Sequence, residues 1–292
     1  MITFHDFVAA FRKIGLVHST PVIVHASLSA FGEVQGGAET ALGALMYVYD
    51  TILVPAFTYK TMVVPEEGPP DNGLTYGESR DANLMAQFFR PGMPVDRLMG
   101  AIPEALRRHP RARRSFHPIL SFAGVNAESF LKSQTLAEPL KPLEGLAQAG
   151  GWALLMGVDH AVNTSLHLAE WLAGRKTFTR WALTPQGVVE CPGFPGCSEG
   201  FELIAPHLVA ITRQALVGLG VIRAVPLDGM IAIAKARIKA DPLALLCERS
   251  YCDRCLAVRK WVSEGNISKR EPLAPSATQN DEFRSDPLGG LL

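Results

Sequence analysis

Apolar residues recur with a helical period at the start of the chain. Between Phe4 and Ile14 they fall three or four positions apart, which places them on one face of an amphipathic helix. Thr3 stands where an N-cap residue is expected, and Gly15 stands where the helix should end. The pattern therefore predicts a first helix over 4–14.

Short apolar runs and helical patterns then alternate. Val- and Ile-rich runs at 21–27 and 51–59 predict buried strands, and between them a glycine-containing loop (31–37) leads into a helix over 38–47. Strand, helix and strand at this spacing are typical of a parallel βαβ unit.

The alternation continues towards the C-terminus. The remaining predicted elements are a helix at 102–109, a strand at 151–158, a helix at 163–174, a hairpin of 176–184 and 188–191, and helical periodicity from Phe201 and again from Met230. Together they predict an α/β fold, a mostly parallel sheet flanked by helices, in one large domain over 1–265. A stretch rich in Pro, Gly, Asp and Asn (61–94) is interpreted as a lid-like insertion, and the polar segment 266–292 as a disordered tail.

Charge and composition narrow the function classes. The 28 basic and 28 acidic side chains give a net charge of zero, so we expect neither a nucleic-acid-coating protein nor a nucleic-acid partner. No apolar run approaches the ~20 residues needed to span a bilayer, and the N-terminus does not resemble a signal peptide. Five cysteines are too few, and odd in number, for a disulfide scaffold. We therefore expect a cytoplasmic protein without a membrane partner, of undetermined oligomeric state.

The polar turn after the strand at 151–158 carries the most informative chemistry. It opens a helix in which His167 and Glu170 are three positions apart, and so lie on one helix face. A carboxylate that orients an imidazole suits general-base catalysis. Thr164, in the first turn, could stabilise a developing oxyanion. The alternative is a surface helix with an incidental polar pair.

Two further segments could bind an anionic cofactor. HASLSAFGEVQGG (25–37) combines hydroxyls and glycines between a strand and a helix, which suits a phosphate or a pantetheine chain, although it matches no P-loop, Rossmann or hydrolase-elbow motif. RRHPRARRSFHP (107–118) contains five arginines within eight residues, which could meet the phosphates of a nucleotide-containing cofactor such as coenzyme A. An ordinary loop and a solvated helix end are the respective alternatives, and a small RNA-binding patch is a third interpretation of the arginines.

The five cysteines leave several interpretations open. Cys247, Cys252 and Cys255 include a C-x-x-C pair, and Cys191 and Cys197 flank a Pro/Gly turn. Close cysteine pairs are typical of structural zinc sites, but free thiols are the simpler interpretation, so we assign no metal ligand and keep structural zinc as an alternative. A catalytic thiol, Cys191 or Cys197, that forms a covalent intermediate is a further alternative.

Taken in order, these segments resemble the aminoglycoside 3-N-acetyltransferase family. The resemblance runs from about Phe4 to Leu246, and its most specific parts are RRSFHPILSFAG (113–124) and NTSLHLAE (163–170). It implies that acetyl-CoA and an aminoglycoside meet in one cleft and react directly, with His167 as general base and Glu170 assisting it. It also implies a set of residues along coenzyme A: His25, Ser27, Leu28, Ser29, Arg114 and Ser115.

The chain departs from the resistance enzymes of this family in two places. The 61–94 segment and the cysteine-bearing part around 247–255 both differ from the familiar pattern. An acetyltransferase for a non-antibiotic amine is therefore one alternative function. A coenzyme A-binding regulatory module with structural zinc is another.

Overall fold

The computed structural model describes residues 1–78 and 80–266; apart from Asn266, the predicted tail lies outside them. The strands are β1 (Val22–Ala26), β2 (Ile52–Pro55), β3 (Met62–Val63), β4 (Arg113–Arg114), β5 (Phe122–Val125), β6 (Trp152–Met156), β7 (Phe178–Thr184), β8 (Gly187–Phe194), β9 (Arg213–Val217) and β10 (Gly220–Pro226). The α-helices are α1 (Phe4–Ile14), α2 (Gly37–Val48), α3 (Arg80–Leu84), α4 (Ala101–Arg108), α5 (Glu128–Lys132), α6 (Lys141–Gln148), α7 (Ser165–Leu172), α8 (Ala205–Leu208), α9 (Leu227–Ala240) and α10 (Asp253–Ser263).

The described part of the chain forms a seven-stranded central sheet in the order β4-β5-β2-β1-β6-β10-β9. The three middle strands are parallel, with β1 paired to β2 on one side and to β6 on the other. The outer pairings are antiparallel, so β5 and β10 run opposite to the other five strands. This arrangement confirms the predicted α/β fold with a mostly parallel sheet, including the parallel βαβ unit of β1, α2 and β2.

Helices cover both faces of this sheet. Neighbouring residues of β1 point to opposite sides: Ile23 belongs to one apolar cluster, together with α6, α7 and α9. Val22 and Val24 belong to the other cluster, together with α1, α2 and α4. Strands buried on both faces are typical of parallel sheets, which explains why β1 and β2 are continuous apolar runs rather than alternating ones.

A smaller sheet of three described strands has the order β3-β7-β8. The β7–β8 hairpin was predicted, and the predicted insertion adds β3 to its edge through pairing of Met62 with Ala182. The Asn72 side chain connects the same insertion to β7. Its Oδ1 accepts the N–H of Thr179, and its Nδ2 donates to the carbonyl of Thr179. Movement of this segment as a lid stays a prediction.

Local sequence signals set α1 as expected. Thr3 and Asp6 form a capping box, and Gly15 ends the helix in the left-handed region with φ 75°.

The sequence prediction missed the β9–β10 hairpin and α10. Its second strand was too long, because the sheet pairing of β2 ends at Pro55. Within the described residues no helix combines the length and apolarity needed to cross a bilayer.

Candidate active site

A cavity of about 650 Å³ opens at the carboxyl ends of β1, β2 and β6. In open α/β sheets this is the edge at which ligands bind. The cavity brings together the two loops that the sequence singled out, 25–29 and 158–164. Its lining includes His25, Ser27, Leu28, Ser29, Pro55, Arg97, Val158, Val162 and Thr164.

His25 connects the two loops. It lies at the end of β1, and its Nε2 accepts the backbone N–H of Thr164 at 3.1 Å. Burial, with a smaller contribution from the nearby His160, lowers the pKa of His25 to about 3. The ring is therefore neutral at physiological pH. Because Nε2 is the acceptor, the proton resides on Nδ1.

The cavity wall also offers hydroxyls and a helix start. The Oγ atoms of Ser27 and Ser29 lie 3.1 Å apart, and Gly37, the first residue of α2, lines the cavity. Helix N-termini attract anions through their free N–H groups and dipole. Gly157 permits the close approach of the two loops, because it has φ +68° and a Cβ there would lie 2.5 Å from Ala30.

On α7, His167, Glu170 and the following Arg175 form a chain of polar contacts. The imidazole Nδ1 lies 2.7 Å from Glu170 Oε2, and Arg175 Nη1 donates to Glu170 Oε1 at 2.7 Å. Arg175 Nη2 also donates to the carbonyls of Pro242 and Ala244. Both oxygens of the carboxylate are thus held, and the arginine is itself anchored.

Glu170 is held as a carboxylate beside His167 Nδ1. Burial alone would raise the pKa of Glu170, but the hydrogen bonds and charges of His167 and Arg175 outweigh it, so that the pKa is lowered. An ionised carboxylate accepts the Nδ1–H, which leaves a lone pair on Nε2. Among the described residues Nε2 has no hydrogen-bond partner, and the His167 side chain is 10% exposed. Nε2 is thus without a hydrogen bond in the described structure, and the described cavity lining includes Thr164 but neither His167 nor Glu170.

Thr164 links this group to the cavity. Its carbonyl accepts the N–H of His167 at 3.1 Å, one helical turn away, and its own N–H is used by His25. Thr164 belongs to the cavity lining, and no hydrogen bond of its hydroxyl is seen among the residues that the structure describes. The hydroxyl, rather than the backbone N–H, is therefore the group that could stabilise a charge there.

Arg114 and Ser115 have structural partners instead. Arg114 donates to the Ser121 hydroxyl and to the carbonyls of Met93 and Ala56, and burial, with the charge of Arg107 adding to it, lowers its pKa to about 10. Ser115 is buried and hydrogen-bonds to Phe122 and Gln134. The described cavity lining contains neither residue.

Sequence reasoning missed Arg97 and Arg175. Arg97 lies in a short turn capped by Asp96, and it is the arginine in the described lining of the cavity. A capped turn after the Pro-rich segment is a weak signal, and nothing local marks it as part of the site. Arg175 could have been found as the cation that follows the end of a helix bearing a His–Glu pair.

Four of the five cysteines lie together. The sulfurs of Cys197, Cys247, Cys252 and Cys255 are all within 4.8 Å of one another. Cys191 is separate and fully buried, and burial raises the pKa of its thiol to about 12. Cys191 is therefore a thiol rather than a nucleophilic thiolate at neutral pH.

Comparison with known proteins places this site in a family. The sequence model of the aminoglycoside 3-N-acetyltransferase family matches residues 23–239. The chain belongs to this family. It is accordingly an acyltransferase, and the resemblance inferred from the motifs is confirmed.

Individual members agree in sequence and fold. Aminoglycoside N(3)-acetyltransferase III from Salmonella sp is 29% identical in an alignment of 236 positions that covers 70% of this chain and 79% of that protein. The apoenzyme crystal structure of aminoglycoside acetyltransferase AAC(3)-IVa has a TM-score of 0.72 at 24% identity and covers 88% of this chain and 96% of its own. The binary structure of AAC-IIIb with CoASH has a TM-score of 0.65 at 26% identity and covers 82% and 96%.

Proposed function

We propose that this enzyme transfers an acetyl group from acetyl-CoA directly to an amine of an aminoglycoside-like substrate, with His167 as general base. The observation that carries the proposal is the 2.7 Å contact between His167 Nδ1 and the doubly held carboxylate of Glu170, which leaves Nε2 free. The named relative supports the substrate class, because it is an aminoglycoside N(3)-acetyltransferase. Acetyl-CoA is a cytoplasmic metabolite, so the proposed reaction places the enzyme in the cytoplasm.

In the proposed reaction the acceptor nitrogen attacks the thioester carbonyl carbon while its proton moves to His167 Nε2. The new C–N bond forms, the C–S bond breaks, and coenzyme A leaves as a thiolate that can recover a proton. Glu170 stabilises the imidazolium as it forms, which is a positioning and electrostatic role. A positioned general base contributes roughly 10²–10⁴ to the rate.

Thr164 is our candidate for stabilising the oxyanion. Thr164 lines the cavity, and no hydrogen bond of its hydroxyl is seen within the described chain. His25 holds the Thr164 backbone by accepting its N–H, so His25 acts through Thr164. One preorganised donor of this kind contributes roughly 10²–10³ to kcat.

The cavity is our candidate site for coenzyme A. The loop of His25, Ser27, Leu28 and Ser29 and the start of α2 supply hydroxyls and N–H groups, and the neighbour with CoASH supports a coenzyme A site in this fold. Arg97 lies in the same lining and can meet a phosphate. Arg114 and Ser115 are left out of this proposal, because their polar atoms already bind the protein.

The test is a substrate panel with acetyl-CoA in which free thiol release is followed. We expect release with aminoglycosides that carry a free 3-amino group, an acetylated product by mass, and no release with matched analogues that lack this group. Release only with simple amines would support the non-antibiotic alternative. Binding of coenzyme A without release on any amine would contradict the proposal and support a regulatory module.

The covalent alternative is tested separately. Mixing the enzyme with acetyl-CoA alone should leave its mass unchanged under direct transfer. An acetylated enzyme that disappears when an amine is added would instead support a cysteine carrier. The buried, protonated Cys191 and the clustered Cys197 make poor carriers.

A further inference from the structure

Four cysteines outside the proposed active site form a compact group of sulfurs. Cys197 comes from the loop after β8, and Cys247, Cys252 and Cys255 come from the segment that leads into α10. Three of the four side chains are buried, and Cys252 is half-buried. Cys197 precedes Cys247 by 50 residues of chain, so that only the fold brings it next to the other three.

The spacing of the sulfurs suits a metal and not a disulfide. Four sulfurs at ~2.3 Å from a tetrahedral zinc lie ~3.8 Å from one another. Here all four are within 4.8 Å, and Cys247 and Cys255 are 3.4 Å apart, well beyond the ~2.05 Å of a sulfur–sulfur bond. Cys252 and Cys255 also have the C-x-x-C spacing of zinc sites.

The backbones of the two cysteine-bearing segments pack closely against each other. Gly200 lets the two turns pack against each other, because a Cβ there would lie 2.6 Å from the backbone of 245–246.

Positive side chains surround the group. Arg259 Nη2 donates to the carbonyl of Cys247 at 2.6 Å, and Arg254 Nη1 donates to the carbonyl of Gly196 at 2.9 Å. A zinc ion with four thiolates carries two net negative charges. The two guanidinium groups, which lie close to the backbone of the cysteine-bearing segments, would offset these two negative charges.

The geometry points to one Zn²⁺ held by the four thiolates of Cys197, Cys247, Cys252 and Cys255. Four protein ligands and a mostly buried setting make the site structural rather than catalytic. Soft thiolate ligands exclude magnesium and calcium, which prefer oxygen. Cys191 does not take part.

The site holds the backbone next to Glu170. A Cβ on Gly196, the residue before the first ligand, would lie 3.9 Å from a Glu170 oxygen. Arg175, which binds the other oxygen, is anchored on the carbonyls of Pro242 and Ala244, shortly before the second ligand. Zinc therefore fixes two neighbours of the carboxylate that positions His167. This consequence for catalysis rests on the proposed function, whereas metal binding itself does not.

The same segment contacts the insertion at 61–94. A Cβ on Gly73 would lie 2.8 Å from Arg254 Cγ, and Lys260 Nζ lies 2.7 Å from Asp71 Oδ2. The insertion and the cysteine-bearing segment are thus packed against each other. Loss of zinc should loosen α10 and this insertion together.

The first test uses the full wild-type chain, purified without chelators after growth with zinc. We expect about one zinc per chain, a first shell of four sulfurs at ~2.3 Å by X-ray absorption, and release of the metal on titration with a mercurial reagent. Cobalt exchanged into the site should show thiolate-to-metal charge transfer. Protein with no tightly bound zinc, iron in its place, or fewer than five titratable thiols after unfolding with a chelator would overturn the assignment.

The second test compares Cys252→Ser with Cys191→Ser. Both remove one thiol, but only Cys252 belongs to the cluster. We expect Cys252→Ser to lose most of its zinc and its apparent Tm to fall by ~10 °C or more, since the binding free energy of a structural zinc stabilises the fold. Cys191→Ser should keep its zinc. Equal zinc content in the two variants would contradict the assignment.

Activity then separates the structural claim from the proposed mechanism. In chelator-treated wild-type enzyme that remains folded, we expect kcat to fall at least ~10-fold with little change in the KM for acetyl-CoA, because the base is misplaced. Re-addition of zinc should restore kcat. Stoichiometric zinc with unchanged kcat on its removal would leave the metal site intact but refute its link to Glu170.

Discussion

Replacement of Glu170 by glutamine probes the charge that the carboxylate supplies to His167. The side chain has nearly the same shape, and its amide oxygen can still accept the Nδ1–H bond, now 2.7 Å long. The charge that stabilises the forming imidazolium is lost. The change therefore separates electrostatics from geometry.

The size of the effect follows from Coulomb's law. Opposite unit charges ~4 Å apart attract by ~4 kcal/mol at an effective dielectric constant of ~20. The dipole of the glutamine amide replaces a small part of this attraction, so we expect the transition state to lose ~3 kcal/mol of stabilisation. At ~1.4 kcal/mol per factor of ten, kcat should fall ~10²-fold. The KM for acetyl-CoA should stay within about twofold, because the carboxylate does not bind the cofactor in this scheme.

The variant also loses stability, which the assay must separate from catalysis. Glu170→Gln leaves the buried guanidinium of Arg175 without its anion, and removal of one partner of a buried pair costs roughly 3–5 kcal/mol. Thiol release should therefore be measured well below the Tm of the variant, with circular dichroism on the same sample. Glu138→Gln is the control, because it removes a carboxylate that is 38% exposed and pairs with Lys141 at 3.4 Å. A folded Glu170→Gln enzyme with a kcat within tenfold of wild type would refute the role.

Three further predictions address the surroundings of the site. Burial lowers the pKa values of His25 and His117 to about 3, below the 6.5 of an exposed histidine, so the unfolded chain binds protons first as the pH falls. Stability to urea should therefore be full above pH 6.5 and should fall between pH 6.5 and 5. A flat profile in this range would contradict the burial argument. Arg97→Ala should raise the KM for acetyl-CoA severalfold. Arg114→Ala should instead lower the Tm by ~5 °C or more without raising this KM. A raised KM in Arg114→Ala, with no change in Arg97→Ala, would restore the coenzyme A role of Arg114. Thr164→Val should lower kcat by ~10²-fold and Thr164→Ser should retain it, and equal rates in the two variants would remove the hydroxyl from the reaction.

The sequence predicts those parts of the fold that local signals determine. The capping box of Thr3 and the left-handed Gly15 lie within or next to the helix that they delimit. The β9–β10 hairpin escaped notice because its place in the sheet is set by the pairing of β10 with β6, 66 to 74 residues earlier in the chain. Its own pattern, with buried Ala215 and Val217 and an exposed Leu216, is a short alternation that a helix-based interpretation overlooks.

The same distinction applies to the site. His167 and Glu170 could be paired from sequence, because a helix brings positions three apart onto one face. Most of the partners of Arg114 within the protein could not be found, since besides Ser121 they are carbonyls 21 to 58 residues away. The grouping of Cys197 with Cys255, 58 residues later, is equally a product of the tertiary fold.

The most direct measurement is single-turnover thiol release by His167→Ala, with acetyl-CoA binding measured by calorimetry on the same preparation. His207→Ala, an exposed histidine on α8, is the matched control. The account predicts that His167→Ala binds acetyl-CoA with unchanged affinity and loses ~10²–10⁴ in rate, while the control loses nothing. A His167→Ala enzyme that turns over at a rate near wild type would contradict it.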